Sequence, residues 1–286
     1  MNNGKTSIRD ALYEAPGPKT RRGIAVGTVV VLLLLAALIY GVIRQFAING
    51  QLDARYWSFF TRYTTWRFIG NGLAGTLTAA LTAGVITFFA GLLLMLGRIS
   101  GVRPLEWLCT ALIEFSRGVP TLLFIYFFFL VVPQLGIKLP PLWKIATPVA
   151  LSAAGVVAEV LRSGVNAVPK GQTEAAVSLG MRKNSVFFKI VFPQALRYVV
   201  PALISEVVIV LKDTTFAYVV NYADLMQNAK VLISNYDALL SVYLVVAIIY
   251  ILINYILNKI SVEPHRSSHL LCNTPCVKTV HFWKKS

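Results

Sequence analysis

The chain has 286 residues, of which 56% are hydrophobic and only 14% charged, with mean hydropathy +0.67 and a net charge of +15. A soluble protein carries nearer a quarter charged residues, so a soluble enzyme is excluded and an integral membrane protein with about five to seven spans is expected. The positive charge fits a cytoplasmic face against anionic lipid. Nucleic acid is excluded as a partner, because no basic stripe interleaved with aromatics lies outside the apolar segments.

In chain order, residues 1–23 are polar and form an N-terminal tail. The run "IAVGTVVVLLLLAALIYGVI", residues 24–43, has the outline of a signal peptide. It is long for one, and no small-x-small cleavage site follows, so it is read as a span. With the aromatic-rich loop that follows it, an interfacial belt, it makes an added segment, 24–66. Apolar segments at 69–96, 105–132, 145–166, 197–220 and 237–258 complete six spans. All are expected to be helices, since open strands cannot satisfy their backbones in lipid. Gly72, Gly75, Gly84 and Gly91 suit close helix packing, and Cys109 is expected as a small core residue. From 263 to 286 a disordered tail is expected. Its Cys272, Cys276, His265 and His269 fit no zinc spacing, and the three cysteines give no disulfide framework.

Lysine and arginine placement gives the orientation. With the N-terminus cytoplasmic, the inner segments hold Lys5, Arg9, Arg98, Arg103, Lys170, Arg182, Lys183, Lys189 and most other basic residues. The outer loops keep a minority, including Arg55, Arg62, Lys138 and Lys230, so both termini are expected inside.

The segment "TEAAVSLGMRKNSVFFKIVFPQA", residues 173–195, is then a cytoplasmic connector with too much local order to be floppy. Thr173 is expected to cap a short helix with Glu174 in its first turn. Gly180 is expected in the left-handed conformation that ends it, and Pro193 to stop a second short helix started by Asn184 or Ser185. The whole reads as a helix–turn–helix knob whose exposed apolar residues want a partner.

Here the residues resemble a known family. Glu174-Ala175-Ala176, Gly180 and Ile190-x-Phe192-Pro193 match the EAA pattern E-A-A-x3-G-x9-I-x-L-P of ABC-importer permease subunits, with Phe192 for the usual Leu. "FSRGVPTLLFIYF" (115–127), "AEVLRSGVNAVPKGQTEAA" (158–176) and "LKDTTFAYVV" (211–220) resemble segments of the polar amino-acid branch, the histidine, glutamine and glutamate permeases. The resemblance covers roughly 68–260. It implies an all-α membrane protein with a five-helix type I (MetI-like) permease core, 67–262, plus one N-terminal helix. It also implies that the loop 170–195 couples to a separate ATPase through Glu174, Ala175, Ala176, Ser178, Gly180, Met181, Ile190 and Pro193. A second permease subunit, identical or homologous, and an extracytoplasmic amino-acid-binding protein complete the assembly it implies.

No G-x-x-x-x-G-K-S/T loop occurs, so the chain is expected to bind no cofactor and to catalyse nothing, ATP and Mg²⁺ belonging to the partner ATPase. No metal-spaced set is present either. Charges in or beside spans are costly and mark a path or a pair. Arg117 precedes Pro120, whose break of the helix frees backbone carbonyls. Its guanidinium can hold a substrate carboxylate, or pair with Glu114 or Glu159. Glu159 can meet a substrate ammonium or balance Arg162. Lys212 and Asp213 are expected to fix helices or form a gate, and Glu206 to face a partner subunit or be buried and paired. Arg117, Pro120, Glu159, Arg162, Lys212 and Asp213 are thus the path candidates. An ion-coupled secondary transporter is the alternative, though it leaves the signature loop unexplained and lacks its expected inverted repeat.

Overall fold

In a computed structural model, residues 17–271 are described, and every regular element among them is helical. Helix α1 (Pro18–Ile48) belongs to a first compact unit that ends at Ser58; the second begins at Phe59. Within the first unit α1 is apolar on every side and exposed along its length, as a lipid-facing helix is. A short 3₁₀ turn, Ala54–Tyr56, closes that unit.

The second unit holds the rest. Helix α2 (Tyr63–Arg98) is followed by α3 (Arg103–Gly118) and α4 (Thr121–Tyr126), which runs on through a π turn and a 3₁₀ turn to Leu135. Then come α5 (Pro141–Ala167), α6 (Lys170–Ser178) and α7 (Lys183–Val186). A π turn, Phe187–Val191, joins α7 to α8 (Phe192–Asp213). Past a 3₁₀ segment to Val220 lie α9 (Leu225–Tyr236) and α10 (Leu239–Leu271).

Five helical stretches are long and apolar enough to cross a membrane, or six if α3 and the stretch Thr121–Leu135, bent by 98° at the break between them, are counted as one. The expected break at Pro120 within the apolar segment 105–132 is present. Pro120 supplies no N–H, and the residue before a proline is pushed out of the helical region. Val119 accordingly lies extended, at φ −96 and ψ 125. One other expectation is revised at its end. Helix α10 continues to Leu271, past the expected boundary at 262. Cys272, Cys276 and the first 16 residues lie outside the described residues.

Helix α5 is the axis of the bundle. Small residues let three neighbours approach it. A Cβ on Gly91 of α2 would lie 3.0 Å from Ala154 O of α5. One on Gly155 would reach 2.0 Å from Ser116 Oγ of α3, and one on Gly164 2.8 Å from Ala195 O of α8. Around these crossings Met95, Ile113, Val157, Ala158, Leu161 and Val199 form one buried layer. Ala79, Ile125, Ile145, Val149 and Val210 belong to a second. Cys109 is buried as expected, against Gly97. The opposite face of α2 shows Leu77, Leu81, Val85, Phe89 and Leu93 at intervals of four, a stripe for lipid.

The end of the bundle remote from α6 is closed by α9, which the apolar pattern alone did not indicate. Asp224 caps it, accepting from Gln227 N at 2.8 Å. Leu225 N donates to Thr76 Oγ1 at 3.0 Å and Asn228 Nδ2 to Phe68 O at 2.8 Å. Gly72 and Gly75 of α2 let this cap sit down on the bundle: a Cβ at Gly75 would be 2.1 Å from Ala223 O. Burial raises the Asp224 carboxyl to about 6, against the pull of the backbone N–H groups that cap it.

Candidate functional site

The knob is built as the sequence predicts at its turn and differently at both ends. Helix α6 starts at Lys170, three residues before the expected cap at Thr173, because Pro169 sets the turn and Gln172 N bonds to Pro169 O at 3.0 Å. It ends at Gly180, φ +75. Gly180 N bonds to Val177 O at 2.9 Å and Met181 N to Ala176 O at 3.2 Å, the paired bonds of a Schellman motif. Pro193 does not stop the second helix. It sits in the first turn of α8, where a missing N–H costs least. The π turn before it carries the chain past the proline, with Phe192 N bonded to Phe187 O. The second arm of the knob is thus continuous with a span.

The eight signature residues divide by environment. Ala176 is 2% exposed and packs with Val168, Val186, Val191 and Ala195 under the knob; Met181 and Ile190 lie against the same cluster. Glu174, Ala175, Ser178, Gly180 and Pro193 are exposed. Beside them Val177 and Leu179 turn outward, Leu179 at 83%. A groove of about 570 Å³ runs between α6 and the following helix, its apolar floor including Val168, Val186 and Phe187 and its rim carrying Lys170, Glu174 and Lys183.

The path candidates are not gathered into one site. Arg117 ends α3 just before the break, half exposed, 3.6 Å from Glu114. Of the two partners expected for it, Glu114 is found and Glu159 is not. Glu159 is taken by Arg98 of α2 and by Arg162, whose Nε donates at 2.9 Å. This cluster ties the end of α2 to α5 on the knob side. Asp213 does fix helices: Thr121 Oγ1, at the restart after Pro120, donates to it at 2.9 Å and lies 2.9 Å from Ser152 Oγ of α5. Lys212 beside it is exposed. Glu206 is buried, at 7% exposure, but none of the ion pairs among the described residues includes it, so the expected pair is absent.

Residue reading missed Arg98, Thr121 and Ser152 as site partners. Arg98 was legible as a cation in a helix's last turn, where the dipole favours it. Thr121 and Ser152 carry no signal beyond a hydroxyl within an apolar run, since their meeting is a matter of tertiary packing.

Known proteins agree with this architecture. Residues 85–261 match the model of the family described as binding-protein-dependent transport system inner membrane component. The chain is 37% identical over 217 residues to the glutamate transport system permease protein GluD of Corynebacterium glutamicum, covering 74% of this chain and 80% of that one. It is 34% identical to the probable glutamine ABC transporter permease protein GlnP of Bacillus subtilis, covering 67% and 89%. Among solved structures, an amino acid ABC transporter crystallised with histidines superposes with TM-score 0.68 at 28% identity, over 73% of this chain and 98% of that one. The inward-facing methionine transporter MetNI, at 18% identity and TM-score 0.57, shares the fold. None of these relatives favours the secondary-transporter alternative. The chain is a multi-pass permease and belongs to the family of inner-membrane components of binding-protein-dependent transport systems.

Proposed function

We propose that this permease serves an ATP-driven importer of polar amino acids, glutamate or glutamine, and takes its drive from a separate ATPase seated on the knob 170–195. The observation that carries this reading is the knob itself. It is a rigid, Schellman-ended helix with an apolar outward face, joined without a break to a span. A floppy connector would transmit no displacement; this one is packed onto the ends of α5 and α8 through the Ala176 cluster. The contact face is Glu174, Ala175, Ser178 and Gly180, while Ala176, Met181 and Ile190 hold the knob to the bundle. Pro193 marks where lever meets span. ATP and Mg²⁺ bind the ATPase and not this chain.

In this reading a pair of permease subunits, identical or homologous, encloses the path, and an extracytoplasmic binding protein delivers the amino acid. Both termini are cytoplasmic and 24–66 is an added helix with an outer loop, preceding the core 67–262. ATP binding draws the two ATPases together; the knobs follow, and the states differ by which contacts the ATPase makes with them. Arg117, half exposed beside the Pro120 break and paired to Glu114, is the residue for the substrate carboxylate, with Lys212 as a second cation on the path. Glu159 and Arg162, closed on Arg98, act as a latch.

The test is single cysteines at Ser178 and Leu179 in the assembled transporter. Both should crosslink to the ATPase, in a nucleotide-dependent way; labelling from the extracytoplasmic side only, or no capture, overturns the reading. Uptake of labelled glutamate and glutamine in a strain lacking the chain decides the substrate.

A further inference from the structure

We infer that Glu206 and Thr87 form a small-cation site, for a proton or a sodium ion, in the seam between α2, α5 and α8. A cavity of about 60 Å³ lies there, lined by Gly84, Thr87 and Phe88 of α2, Val157 of α5, and Leu203 and Glu206 of α8. Gly84 was expected to serve helix packing; instead its missing side chain leaves open space. A water occupies about 30 Å³ in the liquid, so the cavity admits a bare ion or an ion with one water.

Two buried polar groups line this cavity. Thr87 is 2% exposed, and its Oγ1 makes no hydrogen bond among the described residues. Its neighbours on α2 behave differently: Thr76, Thr78 and Thr82 each donate to the carbonyl four residues back. The Thr87 hydroxyl therefore keeps both its proton and its lone pairs for something in the seam. Glu206, 7% exposed, faces the same space.

Among the described residues, the elements packed here supply no counter-charge; Arg197 of α8 lies more than two turns away and is exposed. Helix α2 has no charged residue between Arg67 and Arg98, and α10, which packs on α8, has none from Leu239 to Asn258. On α5 the nearest charges, Glu159 and Arg162, bond to each other. On α8 itself Asp213, two turns on, has the same sign and accepts from Thr121, and Lys212 is exposed. An uncompensated carboxylate in the interior of a span is strongly disfavoured. A hard cation between two oxygen ligands, carboxylate and hydroxyl, removes that cost. A proton on the carboxyl does the same and lets it donate to Thr87 Oγ1. Either way the cation fastens α8, the helix continuous with the knob, to α2.

The experiment uses the purified permease complex in nanodiscs at one fixed pH, with Glu206→Gln and Thr87→Val compared with the parent. A proton shows as a protonated-carboxyl infrared band that Glu206→Gln removes and Thr87→Val shifts. Sodium shows as a rise in unfolding midpoint with NaCl, but not with choline chloride, that either variant abolishes. If the parent has neither the band nor the selective sodium effect, Glu206 is a bare carboxylate and the site does not exist. Should Glu206→Gln fail to assemble, the shift or loss in Thr87→Val, which keeps the volume, decides alone.

Discussion

The two ends of the bundle are finished in opposite ways. At the α9 end the polar groups are inside: Asp224 is fully buried and accepts from Gln227 N of α9, and Asn228, nearly as buried, donates back to Phe68 O of α2. At the knob end the inward face is apolar, and the outward face leaves Val177 and Leu179 in the open. A closed end spends its polar groups on its own backbone and needs no partner. The knob end leaves apolar surface uncovered, which a lone protein avoids and a docking element requires. The contrast is what the proposed seating of an ATPase on the knob requires: an open, apolar end at the knob and a closed cap at the other.

The largest effect should come from breaking the cap. At Gly75 a side chain has no room, since its Cβ would lie 2.1 Å from a backbone oxygen of the α9 approach. Gly75→Val should cost about 3 kcal/mol or more, because backbone must shift, and should appear as a large drop in unfolding midpoint. Gly180→Val is the matching change at the knob, yet of a different kind. Nothing lies within 4 Å of that Cβ, so the penalty is conformational alone, from φ +75. About 1–2 kcal/mol of local strain is expected, with the bundle intact and uptake lost. Gly180→Asn, which tolerates the left-handed region better, should recover part of the uptake. Equal midpoint losses at Gly75 and Gly180 would erase the distinction between the ends.

How much of this was legible in the residues follows the same division. The knob turn was readable because Gly180 is followed by a polar stretch and preceded by good helix formers, a local signal. The spans were readable from apolar length alone. The break at Pro120 was readable too, though its bend of 98° was not, since the angle is set by what Thr121 finds on α5 and α8. Two proline readings went opposite ways. Pro193 looked like a stop, but a widened turn ahead of it let the helix pass, and Pro169 went unnoticed although it starts α6. The cap was the least legible region. Helix α9 is short, and its hold on the bundle depends on Gly72, Gly75 and Thr76, some 150 residues earlier in the chain.

A smaller effect tests the closed end by pH. The Asp224 carboxyl titrates near 6 when folded and near 3.8 when free. Between these values the folded chain holds more protons than the unfolded one, so stability falls as pH rises from about 4 through about 6. From pH 5 to pH 7 the unfolding midpoint should drop by the equivalent of about 1 kcal/mol. Asp224→Asn still caps α9 and should flatten this dependence; an unchanged pH profile in that variant would assign the titration to another group.

The smallest effect belongs to the latch near the knob. Glu159 receives Arg98 from α2 and Arg162 from its own helix, with side-chain exposures of 22%, 19% and 38%. Solvent reaches all three, so each pair should contribute no more than about 1 kcal/mol to stability. Helix α2 is in any case held to α5 by the close approach of Gly91 to Ala154 and Val157. Glu159→Gln should therefore lower the midpoint slightly, and Arg98→Gln should do the same. Because the two side chains share one interaction, the double variant should cost less than the sum, and the difference is the coupling energy. Removing Arg162 instead should leave the tie between helices in place, since that pair lies within one turn of α5. A double-mutant cycle that closes to zero for Arg98 and Glu159 would mean that apolar packing alone joins α2 to the knob side. The contact would then be free to break and reform as the lever moves, at no cost to the fold.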